Sequence, residues 1–331
     1  MMQSAEYLVS ICIPTYNRAP YLKKCIESLI CQPEFLSGRV EIVVSDNAST
    51  DDTENLIKQY ILRFPNIAYY RNEVNVSNQN FPMVLMRANG ILRKLNNDTA
   101  LFKNNSLRFF CEIAEKYKQE KPVLFWQNQK IGRNTGLVKS ANNLSDFLQM
   151  ASYLITWIGG FSVWAEDCQY LSVNEEKCAM HLWQVWAICH LLEMKEKALL
   201  IQEKFVEVQN IEKKDVTYGL FQVFFLNYFA ILNEFKQKNL ISENTWEYLK
   251  KDILYGFFLE YIIRWELGGD TLRYSNKEDL KTLVFNAYKD APYLLDFQRL
   301  YRKRLIKKRL KMKKENIRNL FLSWIKRDKG H

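Results

Sequence analysis

Histidine is scarce in this 331-residue chain, which has only three copies, and that scarcity argues against a zinc centre built from clustered His and Cys. The seven cysteines, at positions 12, 25, 31, 111, 168, 178 and 189, form no C-x-x-C pair and repeat no spacing. They read as reduced thiols, mostly buried as small apolar side chains. The opening residues lack a basic stretch followed by an apolar run and a small-residue cleavage site, so no signal peptide is expected and the expected compartment is the cytoplasm. An apolar run long enough to span a membrane is also missing. Tyr218–Leu232 is the nearest approach, but it is short and broken by Gln222 and Asn227, as in a buried bundle helix.

A net positive charge is missing from most of the chain, although the whole carries a net +10. Residues 299–331 hold fourteen Lys and Arg against Glu315 and Asp328, a net of +12, which leaves the remainder at −2. The basicity is therefore a property of the tail. It argues against a specific nucleic-acid-binding body and for a basic attachment segment. Within that segment Leu300, Leu305, Ile306, Leu310, Ile317, Leu320, Phe321, Trp324 and Ile325 alternate with cations, the pattern of a helix lying on an anionic bilayer. A solvated basic helix packing on an acidic partner, or binding RNA non-specifically, is the alternative.

The apolar fraction, 48%, is that of an ordinary globular protein, and most of the 14% aromatic content is expected to fill the core. Short β-branched runs at residues 8–14, 40–44 and 67–70 alternate with amphipathic stretches at 19–31 and around Leu56–Ile61. Strand, helix, strand, helix, strand predicts a parallel sheet with right-handed crossovers. Thr50 or Asp51 is the expected N-cap of the second helix. A helix from Phe81 to about Ala88, a strand at 90–95, a helix at 105–118 and a strand at 123–126 continue the pattern. Residues 127–143 read as a mobile loop, 144–154 as a helix and Thr156–Trp164 as a strand, and beyond about residue 178 the chain looks helical. In such sheets ligands bind beyond the carboxyl ends of the strands. Pro14-Thr15-Tyr16-Asn17-Arg18 and Asp46-Asn47-Ala48-Ser49 sit at two such ends.

Those two segments, with the Asn-rich stretch Asn75–Asn80 and Ala88-Asn89-Gly90 after it, resemble in order and spacing the opening motifs of family 2 glycosyltransferases. The likeness is good over residues 8 to about 110 and fades through about 195; a similar branch contains bacterial enzymes that decorate O-antigen, capsule and teichoic-type polymers. It implies an α/β GT-A fold, a Rossmann-like mixed sheet flanked by helices and followed by a mainly helical C-terminal region. The corresponding domain expectation is a catalytic domain over 1–205, a helical domain over 206–298 and a basic helix over 299–331. It also implies a nucleotide diphosphate sugar donor, with a UDP-sugar as first guess, and a saccharide or lipid-linked acceptor. The location implied is the cytoplasmic face of a bacterial membrane.

Carried over residue by residue, the resemblance places Thr15, Tyr16 and Arg18 near the base, with Pro14 also at the donor site. Asp46 and Asn47 become candidates for the uracil or ribose edge, with Asn80 and Asn96 also at the donor site. The family's fourth strand usually ends in two acids that hold Mg²⁺ or Mn²⁺ against the diphosphate. Here Asn96-Asn97-Asp98-Thr99 leaves Asp98 as the one carboxylate. Three readings stay open: Asp98 holds a cation with help from the diphosphate; Arg18, Arg93 or Lys94 replaces the metal; or the domain is a non-catalytic binding or scaffold subunit. An inverting transferase needs a base for the acceptor hydroxyl. The matching position is near His181, and Asp167 of the Glu166-Asp167 pair is the second candidate. Trp157, Gly159 and Gly160 could shape an acceptor platform, with core packing the alternative for Trp157.

Overall fold

A computed structural model describes residues 7–129, 137–211, 218–268 and 279–328, with side chains described to residue 316. Contacts divide the chain into two units, one of residues 1–211 with 223–249 and one of 212–222 with 250–331.

The first unit is built on a five-stranded sheet. Its strands are β1 (Val9–Thr15), β2 (Val40–Asp46), β3 (Ile67–Arg71) and β4 (Leu92–Leu95). β5 (Ala100–Phe102), β6 (Val123–Gln127), β7 (Leu137–Ala141), β8 (Ser162–Trp164), β9 (Ala198–Gln202) and β10 (Val206–Val208) follow. The main sheet has the order β3-β2-β1-β4-β8, with β8 antiparallel to β4. β6, β9 and β7 make a second sheet, and β5 pairs with β10. Every residue of β1 and β2 is buried, as expected for parallel strands covered on both faces. The helix Ala19–Ile30 lays Leu22, Cys25, Ile26 and Leu29 into this core, and Pro20 favours its first turn, where a missing N–H costs nothing.

Gly90 is fixed by a close approach. A Cβ there would lie 2.4 Å from Ser10 Oγ and 2.7 Å from the Ser10 backbone nitrogen. The Gly90 N–H donates to Ser10 Oγ at 2.7 Å, and both turn toward the buried Glu41 carboxylate. The Ala-x-Gly landmark is thus a structural joint at the amino edge of the sheet.

Four boundaries differ from the sequence expectation. The second helix begins at Thr53, and Asp51 lies two residues earlier, its Oδ1 accepting from the Thr53 N–H at 3.2 Å. The helix expected over 144–154 stops at Ala151, because Ser152 turns to φ +46°. The strand expected over Thr156–Trp164 is two 3₁₀ turns, Ser152–Thr156 and Ile158–Gly160, before the short β8. Gly160 is packed so tightly on Phe125 that a Cβ would meet its ring at 2.3 Å. Part of the expected 127–143 loop is β7, whose polar outer face hides an edge strand zipped to β9; residues 130–136 lie outside the described residues.

Residues 223–249 join the first unit through the Ser145 hydroxyl to Leu240 O at 3.2 Å and Gln149 to Thr245 at 2.7 Å. In the second unit the helices Leu259–Glu266, Leu280–Ala287 and Leu294–Asp328 bury Ile262, Ile263, Val284, Phe297 and Tyr301. Glu260 binds Arg304 at 3.0 Å and Lys308 at 2.7 Å, pinning the start of the long helix. Among the described residues no helix is long and apolar enough to cross a membrane.

Candidate functional site

β1 and β2 run in register, so their last residues, Thr15 and Asp46, stand side by side. The loops that follow are sewn together. Asn47 N–H donates to Thr15 O at 2.9 Å, Asn17 N–H to Ser49 Oγ at 2.9 Å, and Thr50 N–H to Asn17 Oδ1 at 2.7 Å. Asp51 reaches back to accept from the Ala19 N–H at 2.9 Å, so one carboxylate ties the starts of two helices. Asn17 (φ +51°) and Ala48 (φ +63°) adopt left-handed backbone, which costs an alanine most, and such strain persists only where the surroundings enforce it.

β4 runs beside β1 on its other flank, and the Asn96 N–H continues the ladder to Cys12 O. This delivers Asp98 to the same edge. Its carboxylate is 2% exposed. Oδ2 accepts from Thr15 Oγ1 at 2.9 Å and Oδ1 from Arg18 Nη1 at 2.9 Å. Thr15, Arg18 and Asp98 are therefore one cluster, with the Arg18 side chain 31% exposed. Tyr16 projects beside it at 43% exposure, and Pro14 lies within the strand. Asn96 is buried with Oδ1 lacking a hydrogen-bond partner, a cost of roughly 1–3 kcal/mol when uncompensated.

The second loop is held by groups that sequence reading missed. Asp46 accepts from Ser49 N–H at 2.9 Å, Tyr69 OH at 2.7 Å and Arg71 Nη1 at 2.8 Å. Burial and this bond to Asp46 push the Tyr69 phenol up. Arg71 was visible in principle, since the parallel register puts it opposite Asp46. Asn47 Nδ2 donates to Asn75 Oδ1 at 2.7 Å and Ser77 O at 3.1 Å, while Oδ1 accepts from Val76 N–H at 2.9 Å and Asn72 Nδ2 at 3.1 Å. An amide has two donors and two lone pairs, so all four are spent on residues 72–77. Asn80 is likewise built in, donating to Ser45 O at 2.8 Å and accepting from Ser45 Oγ at 2.5 Å.

The Asn-rich loop carries the site onward to His181. The helix Glu175–Ala179 packs on the turn Ser77–Gln79. Asn78 Nδ2 donates to Cys178 O at 3.1 Å, which orients the amide and makes His181 Nδ1, 2.7 Å away, an acceptor. A neutral imidazole held so carries its proton on Nε2. Burial lowers the His181 pKa, and its backbone is also left-handed, at φ +61°.

Asp167 is not brought to this edge. Because β8 is antiparallel, Trp164 pairs with Leu92 at the start of β4, and Asp167 follows it at the amino edge. There it pairs with Lys195; burial raises its pKa against that partner. Lys94 is directed inward, among Phe110, Trp126 and Phe205, with Gly159 O and Leu95 O as acceptors. Burial lowers its pKa well below that of a free lysine. Arg93 donates to Leu85 O at 2.9 Å and to Cys168 Sγ at 3.4 Å. Of the three cations expected to serve a diphosphate, Arg18 is the one at the cluster. Trp157 packs on Phe205 with centroids 6.0 Å apart and also lines, with Phe125, Gln127, Asn128, Gln129, Leu154 and Val208, a cavity of about 200 Å³.

The donor set fits a divalent cation poorly. Hard cations take carboxylate oxygens, and both oxygens of Asp98 are committed, one to a guanidinium. Asp46 and Asp51 are spent on their own loops. Among the described residues no three His, Cys, Asp or Glu gather as ligands.

Residues 10–81 match the family described as Glycosyl transferase family 2. The abequosyltransferase RfbV of Salmonella typhimurium is 45% identical over 86 residues, 25% of each chain. A dolichyl N-acetyl-alpha-D-glucosaminyl phosphate 3-beta-D-2,3-diacetamido-2,3-dideoxy-beta-D-glucuronosyltransferase of Methanococcus voltae is 26% identical over 62% of this chain and 59% of its own. The chain thus spans between a quarter and three-fifths of these two relatives. The crystal structure of S. aureus TarS superposes with a TM-score of 0.53 at 14% identity, covering 78% of this chain and 47% of that one. The fold is of the GT-A type, and within it residues 10–81, which carry the two joined loops, match the glycosyl transferase family 2 model.

Proposed function

We propose that the chain transfers a sugar, with inversion, from a nucleotide diphosphate donor to a saccharide or lipid-linked acceptor in surface-polysaccharide synthesis. The observation that carries this is the cluster of Thr15, Arg18 and Asp98 at the carboxyl edge, on the two loops of the matched segment. The acceptor oxygen attacks the anomeric carbon as the bond to the diphosphate breaks, and the leaving group departs with the extra negative charge. A guanidinium already placed at that edge stabilises this charge without reorganising. His181 is the proposed base. With Nε2 protonated, the acceptor's proton goes to Nδ1, which requires the Asn78 amide to turn away from it, and the lowered pKa keeps the imidazole neutral at and above about pH 6.5.

The experiment is a screen of radiolabelled UDP-, GDP-, dTDP- and CDP-sugars for hydrolysis and for transfer to lipid-linked saccharides. Turnover of one donor is expected. Nucleotide binding without turnover would instead support the scaffold alternative.

The long basic helix is proposed to hold the enzyme on the cytoplasmic membrane face. Ile306 (58% exposed) and Leu310 (56%) lie one turn apart among Lys303, Lys307, Lys311 and Lys314. Each cation near an anionic surface contributes about 1 kcal/mol. Co-sedimentation with anionic vesicles, and its loss in an Ile306→Asp, Leu310→Asp variant, tests this; equal pelleting of the variant overturns it.

A further inference from the structure

We infer that Arg18 does the work that a divalent cation would do at the diphosphate, with Asp98 as its anchor and not as a metal ligand. This rests on the transfer reading above and goes beyond it, to how the leaving group is held. Asp98 is buried, carboxylate oxygens occupied by Thr15 and Arg18, so its negative charge is already balanced. A dication at Oδ1 would have to displace the guanidinium or sit against it, and like charges at that distance repel. Arg18 is differently placed. It spends one N–H on Asp98 and keeps a partly exposed planar head with further donors, the geometry suited to bidentate contact with phosphate oxygens.

The rest of the edge is consistent with this division of labour. Lys94 is sealed in an aromatic cage, and Arg93 is committed to Leu85 O and Cys168. Asp46, the other buried acid at this edge, is balanced by Arg71. Each carboxylate therefore has its own arginine, and Arg18 is the one anchored beside β4, where the family's metal would sit. Asp98 is a positioning residue. Thr15, bonded to its second oxygen, fixes the carboxylate's rotation.

The test is calorimetry on the full chain with UDP, GDP, dTDP and CDP, each in EDTA and in Mn²⁺. The nucleotide that binds is expected to do so with the same affinity, within about twofold, in both. Arg18→Met should weaken it about tenfold or more, the usual loss for a truncated charge-assisted hydrogen bond. Arg18→Lys, which keeps the charge and protects against a folding defect, should fall between. Asp98→Asn leaves an oxygen to hold Arg18 and should cost no more than about threefold. Binding that needs Mn²⁺, or an Asp98→Asn loss as large as that of Arg18→Met, overturns the assignment of Arg18 alone. If no nucleoside diphosphate binds in either buffer, the transfer reading falls with it.

Discussion

Both edges of the five-stranded sheet bury a carboxylate, and they hold it in opposite ways. At the amino edge Glu41 accepts from Ser10 Oγ at 2.6 Å, Asn89 N–H at 2.5 Å and Gly90 N–H at 3.1 Å. Ser10 and Gly90 are buried, and Asn89, exposed in its side chain, donates through its backbone, so none of the three is a side chain that reaches out from the edge. At the carboxyl edge Asp98 is balanced by a guanidinium that still reaches solvent. The first is a closed circuit that fixes strands; the second is a circuit with one member able to engage something else. Equal burial therefore says little about role, whereas the exposure of the partner says a great deal.

The largest effect that would sharpen this contrast is Glu41→Ala. Leaving the Ser10 hydroxyl and the Asn89 N–H unpaired, while the Gly90 N–H keeps Ser10 Oγ, should lower the unfolding free energy by about 2 kcal/mol, read by urea denaturation, with nucleotide affinity of the folded fraction unchanged. A loss under about 1 kcal/mol would break the comparison. Next is Asn47→Asp, which turns a saturated amide into a carboxylate facing Asn75 Oδ1 and Ser77 O. Expected is a destabilisation of about 1–2 kcal/mol by thermal melting. An unchanged melting temperature would mean that the loop adapts freely and that the amide is not a structural requirement.

The smallest effect concerns His181. The unfolded chain takes up a proton near pH 6.5, but the buried imidazole resists it. Stability is full above that pH and declines as the pH falls through about 6.5 toward the depressed folded value. His181→Gln should flatten the difference between pH 7 and 5.5 by under about 1 kcal/mol, and an identical slope in both proteins would remove the effect.

How much of this was legible in the sequence depended on what local pattern can encode. β1 to β4 are legible because each is a β-branched or apolar run stopped by polar residues, and the loops are legible because they follow those runs. The reversed β8 is not. Three residues between a Gly-Gly turn and a 3₁₀ turn carry no period, and their direction is set by pairing with β4. That single reversal sends Asp167 to the far edge. The engagement of Asn47 and Asn80 was equally hidden, since an asparagine facing a ligand and one tying a loop look alike until partners are known. Lys94 misled for the same reason: a lysine late in a strand suggests a cation at the strand end, but its place in the β4 alternation points it into the core.

The antiparallel β8 also has a consequence for how such a chain can diversify. Having crossed to the amino edge at Trp164, the backbone must return before it can present His181 beside Asn78. The return path, residues 165–180, is a succession of short turns and a single short helix outside the central sheet. Its length and course can drift without disturbing the strands that set Thr15, Asp46 and Asp98. His181 and the cluster at Thr15 and Asp98 therefore lie on separate stretches of one polypeptide, so the proposed base and the proposed leaving-group site can vary apart.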